Sequence, residues 1–170
     1  MRIVYMGTPE IAAACLQRLI DDGQEIAAVY TKVDTPKNRG MKLTASAVKE
    51  LALSHGLTVV QPVSFREDAV VSELAAFQPE LIVVVAYGKI LPQRVLDIPK
   101  YGCINIHASL LPKLRGAGPI QWSILNGDAV TGVTAMYLSA GMDEGDMIDT
   151  VEVPILDTDT GVTLTEKLTE

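Results

Sequence analysis

The run Leu81-Ile-Val-Val-Val-Ala86 constrains the fold more than any other part of the sequence, because its apolar residues follow one another with no polar alternation. Successive strand side chains point to opposite faces, so such a strand is apolar on both faces and must be covered on both. It is far too short to cross a bilayer. The flanking sequence supplies the cover. Arg2-Ile-Val-Tyr-Met6 is a strand pattern, followed by Ala12, Cys15, Leu16, Leu19 and Ile20 at helical spacing. The alternation continues with a strand near Ile26 to Tyr30, a helix carrying Val48, Leu51 and Ala52, a strand at Leu57 to Val60, and a helix carrying Val70, Val71 and Leu74. Short strands alternating with helices predict a doubly wound α/β fold, a mainly parallel sheet with helices on both faces and right-handed crossovers. After Asn126-Gly-Asp128 the pattern changes. Val133, Ala135 and Tyr137 alternate, as do Val151, Val153 and Ile155, which predicts two successive strands joined by a loop at Gly141 to Asp146. The stretch from Thr160 to Glu170 reads as a helix.

With 170 residues and 48% apolar content, the chain can bury one core and has little material for a second, so one domain over residues 1–170 is expected. Met1-Arg2 enters the first strand without a cleavage signal, and a soluble, cytoplasmic protein is expected. Fourteen basic against 21 acidic residues give a net charge of −7, which argues against a broad electrostatic grip on nucleic acid and leaves room only for local contact. Cys15 and Cys103 have neither zinc spacing nor a disulfide framework and read as small buried hydrophobes.

Ligands of doubly wound sheets settle outside the carboxyl ends of the strands, so the strand-end loops are where chemistry is expected. Met6-Gly-Thr-Pro-Glu10 is either a helix entry or a loop whose Gly7 and Thr8 present backbone N–H groups and a cap. It lacks the three-glycine dinucleotide fingerprint, which counts against an oxidoreductase domain. The loop from Lys32 to Lys42 holds Lys32, Lys37, Arg39 and Lys42, a basic island that either clamps an anion or faces water. Ala86-Tyr-Gly-Lys-Ile-Leu-Pro92 closes the apolar strand, and Gly88 there lets backbone approach a flat ligand or simply turn into a helix.

Cys103-Ile-Asn-Ile-His-Ala-Ser-Leu-Leu-Pro112 is more specific. On a strand, Asn105 and His107 share one face, and an amide beside an imidazole is costly to bury without partners or a task. The segment runs into the glycine-rich turn Leu111-Pro-Lys-Leu-Arg-Gly-Ala-Gly-Pro119 ahead of a helix with Trp122 and Leu125. Gly141-Met-Asp-Glu-Gly-Asp146 adds carboxylates whose spacing does not fit a calcium loop.

Asn105-x-His107, the run Ser109-Leu-Leu-Pro-Lys-Leu-Arg-Gly116, and Asp143 with Gly145 together resemble the signature of the formyltetrahydrofolate-dependent formyltransferases and hydrolases. The resemblance implies a Rossmann-like catalytic domain with Asn105, His107 and Asp143 as catalytic residues. It further implies that backbone around Lys89, Ile90 and Leu91 holds the pterin ring and that Ser109, Leu110, Leu111 and Pro112 line the folate pocket. Met6-Gly-Thr-Pro-Glu10, Asp34-Thr-Pro-Lys-Asn-Arg-Gly40 and Arg115-Gly-Ala-Gly-Pro-Ile-Gln121 resemble the tRNA-modifying branch of this family, although Ile11 stands where relatives carry Phe. That branch implies 10-formyltetrahydrofolate as donor, initiator methionyl-tRNA as acceptor, no metal, and Arg39 with Lys42 on the loop that meets the tRNA acceptor arm. Its smaller carboxy-terminal, barrel-type domain, which helps hold tRNA, is expected to be absent from these residues, in keeping with their acidic balance. A monomer is expected.

Formyl transfer to an amine passes through a tetrahedral intermediate whose oxygen gains negative charge, which calls for preorganised donors. Asn105 and a protonated His107 suit that task, with Asp143 orienting the imidazole. Other acceptors remain open at this stage, namely a purine precursor, a nucleotide sugar or water, as does a module that binds folate without turnover.

Overall fold

The structure is a computed structural model and describes residues 1–37, 42–141 and 143–170. Arg39 lies outside the described residues. Two compact units divide the chain, Met1–Cys103 and Ile104–Glu170.

The first unit alternates strands and helices in the order β1 (Arg2–Gly7), α1 (Glu10–Asp21), β2 (Glu25–Tyr30), β3 (Thr35–Lys37), β4 (Lys42–Thr44), α2 (Ala47–Ser54), β5 (Val59–Val60), α3 (Asp68–Ala76), β6 (Leu81–Val85) and α4 (Gln93–Leu96). Strands β5, β2, β1 and β6 lie side by side in that order, and every pair is parallel. Ile3, Val4, Tyr5 and Met6 are all buried in succession, as are Val84 and Val85 of β6. Since neighbours point to opposite faces, both faces are covered, as the unbroken apolar runs require. The cover includes Ala12 and Leu16 of α1, Val48 and Ala52 of α2, and Leu74 of α3. Each large aliphatic side chain so buried contributes about 1.5–3 kcal/mol.

Local bonding moves several boundaries. The strand expected from Leu57 begins at Val59, because the Leu57 N–H donates to Ala52 O and closes α2. Strand β6 stops at Val85, where Ala86 turns to φ +45°. Thr8 does not cap α1. Pro9 takes that position, and the Thr8 hydroxyl donates instead to Tyr87 O at 3.1 Å. Part of the basic loop forms an antiparallel hairpin, β3 with β4, instead of plain loop. Cys103 is buried and Cys15 only partly so.

In the second unit, β7 (Cys103–His107), α5 (Pro119–Leu125), β8 (Val130–Tyr137), β9 (Met147–Pro154) and α6 (Gly161–Thr169) follow one another. The order β7, β8, β9 is antiparallel throughout, the hairpin that the alternation after Asn126 predicts. Helix α6 starts with a capping box between Thr160 and Thr163 and buries Leu164 and Leu168. Among the described residues, no helix is long and apolar enough to cross a membrane.

Candidate active site

Strand β7 delivers Asn105 and His107 to one face, opposite Met136 and Thr134 of β8. The His107 side chain is only 8% exposed. Its Nε2 donates to Leu114 O at 2.8 Å, and its Nδ1 lies 3.7 Å from Asp143 Oδ2, within ion-pair reach. Both ring nitrogens therefore face oxygen acceptors. Leu114 reaches His107 because its backbone sits at φ +55°, a region that L residues enter only at a cost.

Asp143 is fixed from two sides. Its Oδ2 accepts the Gly116 N–H at 2.8 Å, and its own backbone is at φ +51°. The loop that carries it is closed by the Tyr137 N–H donating to Asp146 O at 2.9 Å. At Gly145 any Cβ would collide with the Tyr137 carbonyl, so the close return of this loop onto β8 requires glycine.

The segment Ser109 to Pro112 is clasped by a residue that sequence reasoning missed. Thr134 is fully buried; its hydroxyl donates to Ser109 O at 2.7 Å and accepts the Leu111 N–H at 3.2 Å. Ser109 Oγ in turn donates to Lys113 O at 2.7 Å. Leu110 leans on Gly132, where a Cβ would stand 2.6 Å from its Cδ2. Leu111 is buried and Pro112 exposed. The only signal for Thr134 was parity: the apolar set Val133, Ala135 and Tyr137 puts it on the other face of β8. A threonine inside a strand is too ordinary to stand out.

In the first unit, Lys89, Ile90 and Leu91 follow β6. Among the described residues no main-chain hydrogen bond engages them, which leaves their backbone groups available. Ile90 is 91% exposed, an apolar side chain left in water at a strand end. The Lys89 ammonium donates to Pro62 O at 2.8 Å and Val63 O at 2.6 Å. Lys42 is exposed on β4. Among the described residues no three His, Cys, Asp or Glu side chains converge as a metal site.

These features define a class, a Rossmann-like α/β protein with an amide, an imidazole and a carboxylate at the end of one strand and in the loops beside it. All 170 residues match the family described as formyl transferase. The chain belongs to that family. It is 56% identical over 155 residues to the methionyl-tRNA formyltransferase of Alkaliphilus oremlandii, covering 91% of this chain and 50% of the relative. It is 55% identical over 170 residues to that of Pseudomonas syringae pv. syringae, covering 100% and 54%. The chain thus spans about half the length of the curated relatives it matches. Among solved structures, the phosphoribosylglycinamide formyltransferase of Bacillus halodurans superposes with a TM-score of 0.80 at 28% identity, covering 99% of this chain and 87% of that one. A formyltetrahydrofolate deformylase from Pseudomonas syringae pv. tomato gives 0.75 at 25% identity, covering 98% and 56%. The doubly wound expectation is met.

Proposed function

We propose that residues 1–170 are the catalytic domain of an enzyme that transfers the formyl group of 10-formyltetrahydrofolate to the amino group of methionyl-initiator-tRNA, in the cytoplasm and as a monomer. The observation that carries this reading is the placement of His107 between the Leu114 carbonyl and the Asp143 carboxylate. Identity above 50% to proteins named methionyl-tRNA formyltransferase supports the acceptor.

The attacking amine forms a bond to the formyl carbon, and the carbonyl electron pair moves onto oxygen. Asn105 donates to that oxyanion, the interaction that strengthens most toward the transition state, and protonated His107, its ring nitrogens turned to Leu114 O and Asp143, stabilises the developing charge by its own positive charge. Collapse of the intermediate breaks the bond from carbon to the folate nitrogen, which gains a proton while the amine loses one. Asp143 keeps the imidazole oriented and stabilises its cation. Backbone around Lys89, Ile90 and Leu91 holds the pterin ring, a role that suits unbonded main-chain groups beside an exposed apolar side chain. Ser109, Leu110, Leu111 and Pro112 line the folate pocket, the last three as apolar wall. Arg39 and Lys42 meet the tRNA acceptor arm through phosphate contacts.

The test is formyl transfer from 10-formyltetrahydrofolate to methionyl-initiator-tRNA by this chain, alone and extended by the carboxy-terminal half of a relative, each beside a His107→Ala control. Transfer that disappears in the control supports the reading. Release of formate without formyl-methionyl-tRNA would assign the site to hydrolysis, and transfer only to small amines would displace tRNA as acceptor.

A further inference from the structure

Two lysines at the carboxyl ends of β2 and β6 have side chains that the proposed chemistry does not use. Lys32 lies two residues beyond β2, and its side chain rests over Gly88. A Cβ added at Gly88 would stand 2.6 Å from Lys32 Cε and nearer still to the ammonium. The next residue along the chain is Lys89. Its ammonium donates to the carbonyls of Pro62 and Val63, which leaves one of its three protons uncommitted.

Like charges held this near one another repel, and Lys89 registers the effect: burial, and then the charge of Lys32, pushes its pKa down. Among the described residues neither lysine is ion-paired. Asp34, the acid closest in sequence to Lys32, already accepts from Lys49 Nζ at 2.7 Å and from Gln61 Nε2 at 2.8 Å. In a protein of net charge −7, two adjacent unneutralised cations at the ligand end of parallel strands mark a place where an anion is favoured. Val63, 80% exposed, carries one of the two carbonyls that Lys89 holds, so the occupant meets apolar surface beside the charge. A nucleotide combines a phosphodiester with a flat base.

We propose that Lys32 and Lys89 form an anion subsite that takes a phosphodiester of the 3′-terminal nucleotides of the acceptor tRNA. This rests on the tRNA reading above. Gly88 belongs to the subsite because only the absence of a side chain lets Lys32 lie where it does.

Two measurements test it, with Lys32→Gln as the variant because Lys32 is exposed and its removal leaves the loop bonds of Lys89 intact. The first is binding of a fluorescein-labelled single-stranded RNA tetranucleotide ending in CCA, followed by anisotropy across a salt series. One phosphate contact fewer should lower the log–log salt slope by about 0.7 and weaken binding about three- to tenfold. Lys32→Arg should keep the wild-type slope. Wild-type affinity and slope in Lys32→Gln overturn the proposal whether or not the protein turns over. The second is steady-state transfer, in which the variant should raise the Michaelis constant for methionyl-tRNA. A rise confined to 10-formyltetrahydrofolate would assign the lysines to the folate glutamate carboxylates and also overturn it. Wild-type protein that never formylates tRNA defeats the parent reading, and the RNA-binding comparison still decides this one.

Discussion

Replacing Thr134 by Val tests the clasp on the Ser109–Pro112 segment. The substitution keeps the branched shape and removes one oxygen that makes two hydrogen bonds in a fully buried position. The Ser109 carbonyl and the Leu111 N–H would each lose their partner, and neither residue is more than 9% exposed. A buried group stranded in this way costs about 1–3 kcal/mol, so the sum for two is about 2–6 kcal/mol. Loop relaxation toward water favours the lower half of that range. With a urea slope of about 2 kcal/mol per molar, the unfolding midpoint should fall by about 1–2 M. Thr134→Ser keeps both bonds and loses only a methyl group, for a cost of about 1 kcal/mol. Under the proposed function, in which Ser109 to Pro112 line the folate pocket, the same loop movement should raise the Michaelis constant for the folate donor more than it lowers turnover. Equal urea midpoints for Thr134→Val and Thr134→Ser would refute the argument, because the hydroxyl bonds would then contribute nothing.

Gly145→Ala forces a methyl group into the Tyr137 carbonyl and should destabilise the protein by about 1–3 kcal/mol while displacing Asp143 two residues away; chemical denaturation and the transfer assay read the two effects. Among the described residues the buried Tyr87 hydroxyl has no hydrogen-bond partner, so Tyr87→Phe should leave stability unchanged or raise it by up to about 1 kcal/mol, and a clear fall in melting temperature would show that the hydroxyl has a partner in solution. The Lys167 ammonium and the Leu156 N–H hold the Asp159 carboxyl below its usual range. A depressed carboxyl adds stability above the ordinary aspartate range of about 4 and loses it as pH falls through the lowered value. Asp159→Asn should therefore shrink the difference in urea midpoint between pH 7 and pH 3.

The first unit was legible because its strands are buried on both faces: unbroken runs such as Leu81 to Val85 admit few alternatives, and the helices between them keep strict spacing. Ends were less legible than centres. Strand β5 lost Leu57 and Thr58 because the Leu57 N–H closes α2, a competition between two elements for one donor that no residue type reveals. The β3–β4 hairpin was missed because Pro36 and the lysines around it read as loop chemistry. Of the candidate site, strand parity correctly placed Asn105 and His107 on one face.

The partners that define the site, however, are largely main chain, and main chain carries no sequence signal. His107 takes one acceptor from the Leu114 carbonyl, and Asp143 takes one donor from the Gly116 N–H. Both come from the glycine-rich turn that begins at Leu111, and both depend on backbone at positive φ, Leu114 at +55° and Gly116 at +81°. The turn thus holds the imidazole through one atom and the carboxylate through another. Any shift of it moves the two side chains together, so their 3.7 Å separation is set by the turn more than by the flexibility of either side chain. That accounts for a leucine tolerated in the left-handed region: a cost of about 1–3 kcal/mol there fixes the orientation of two ionisable groups at once.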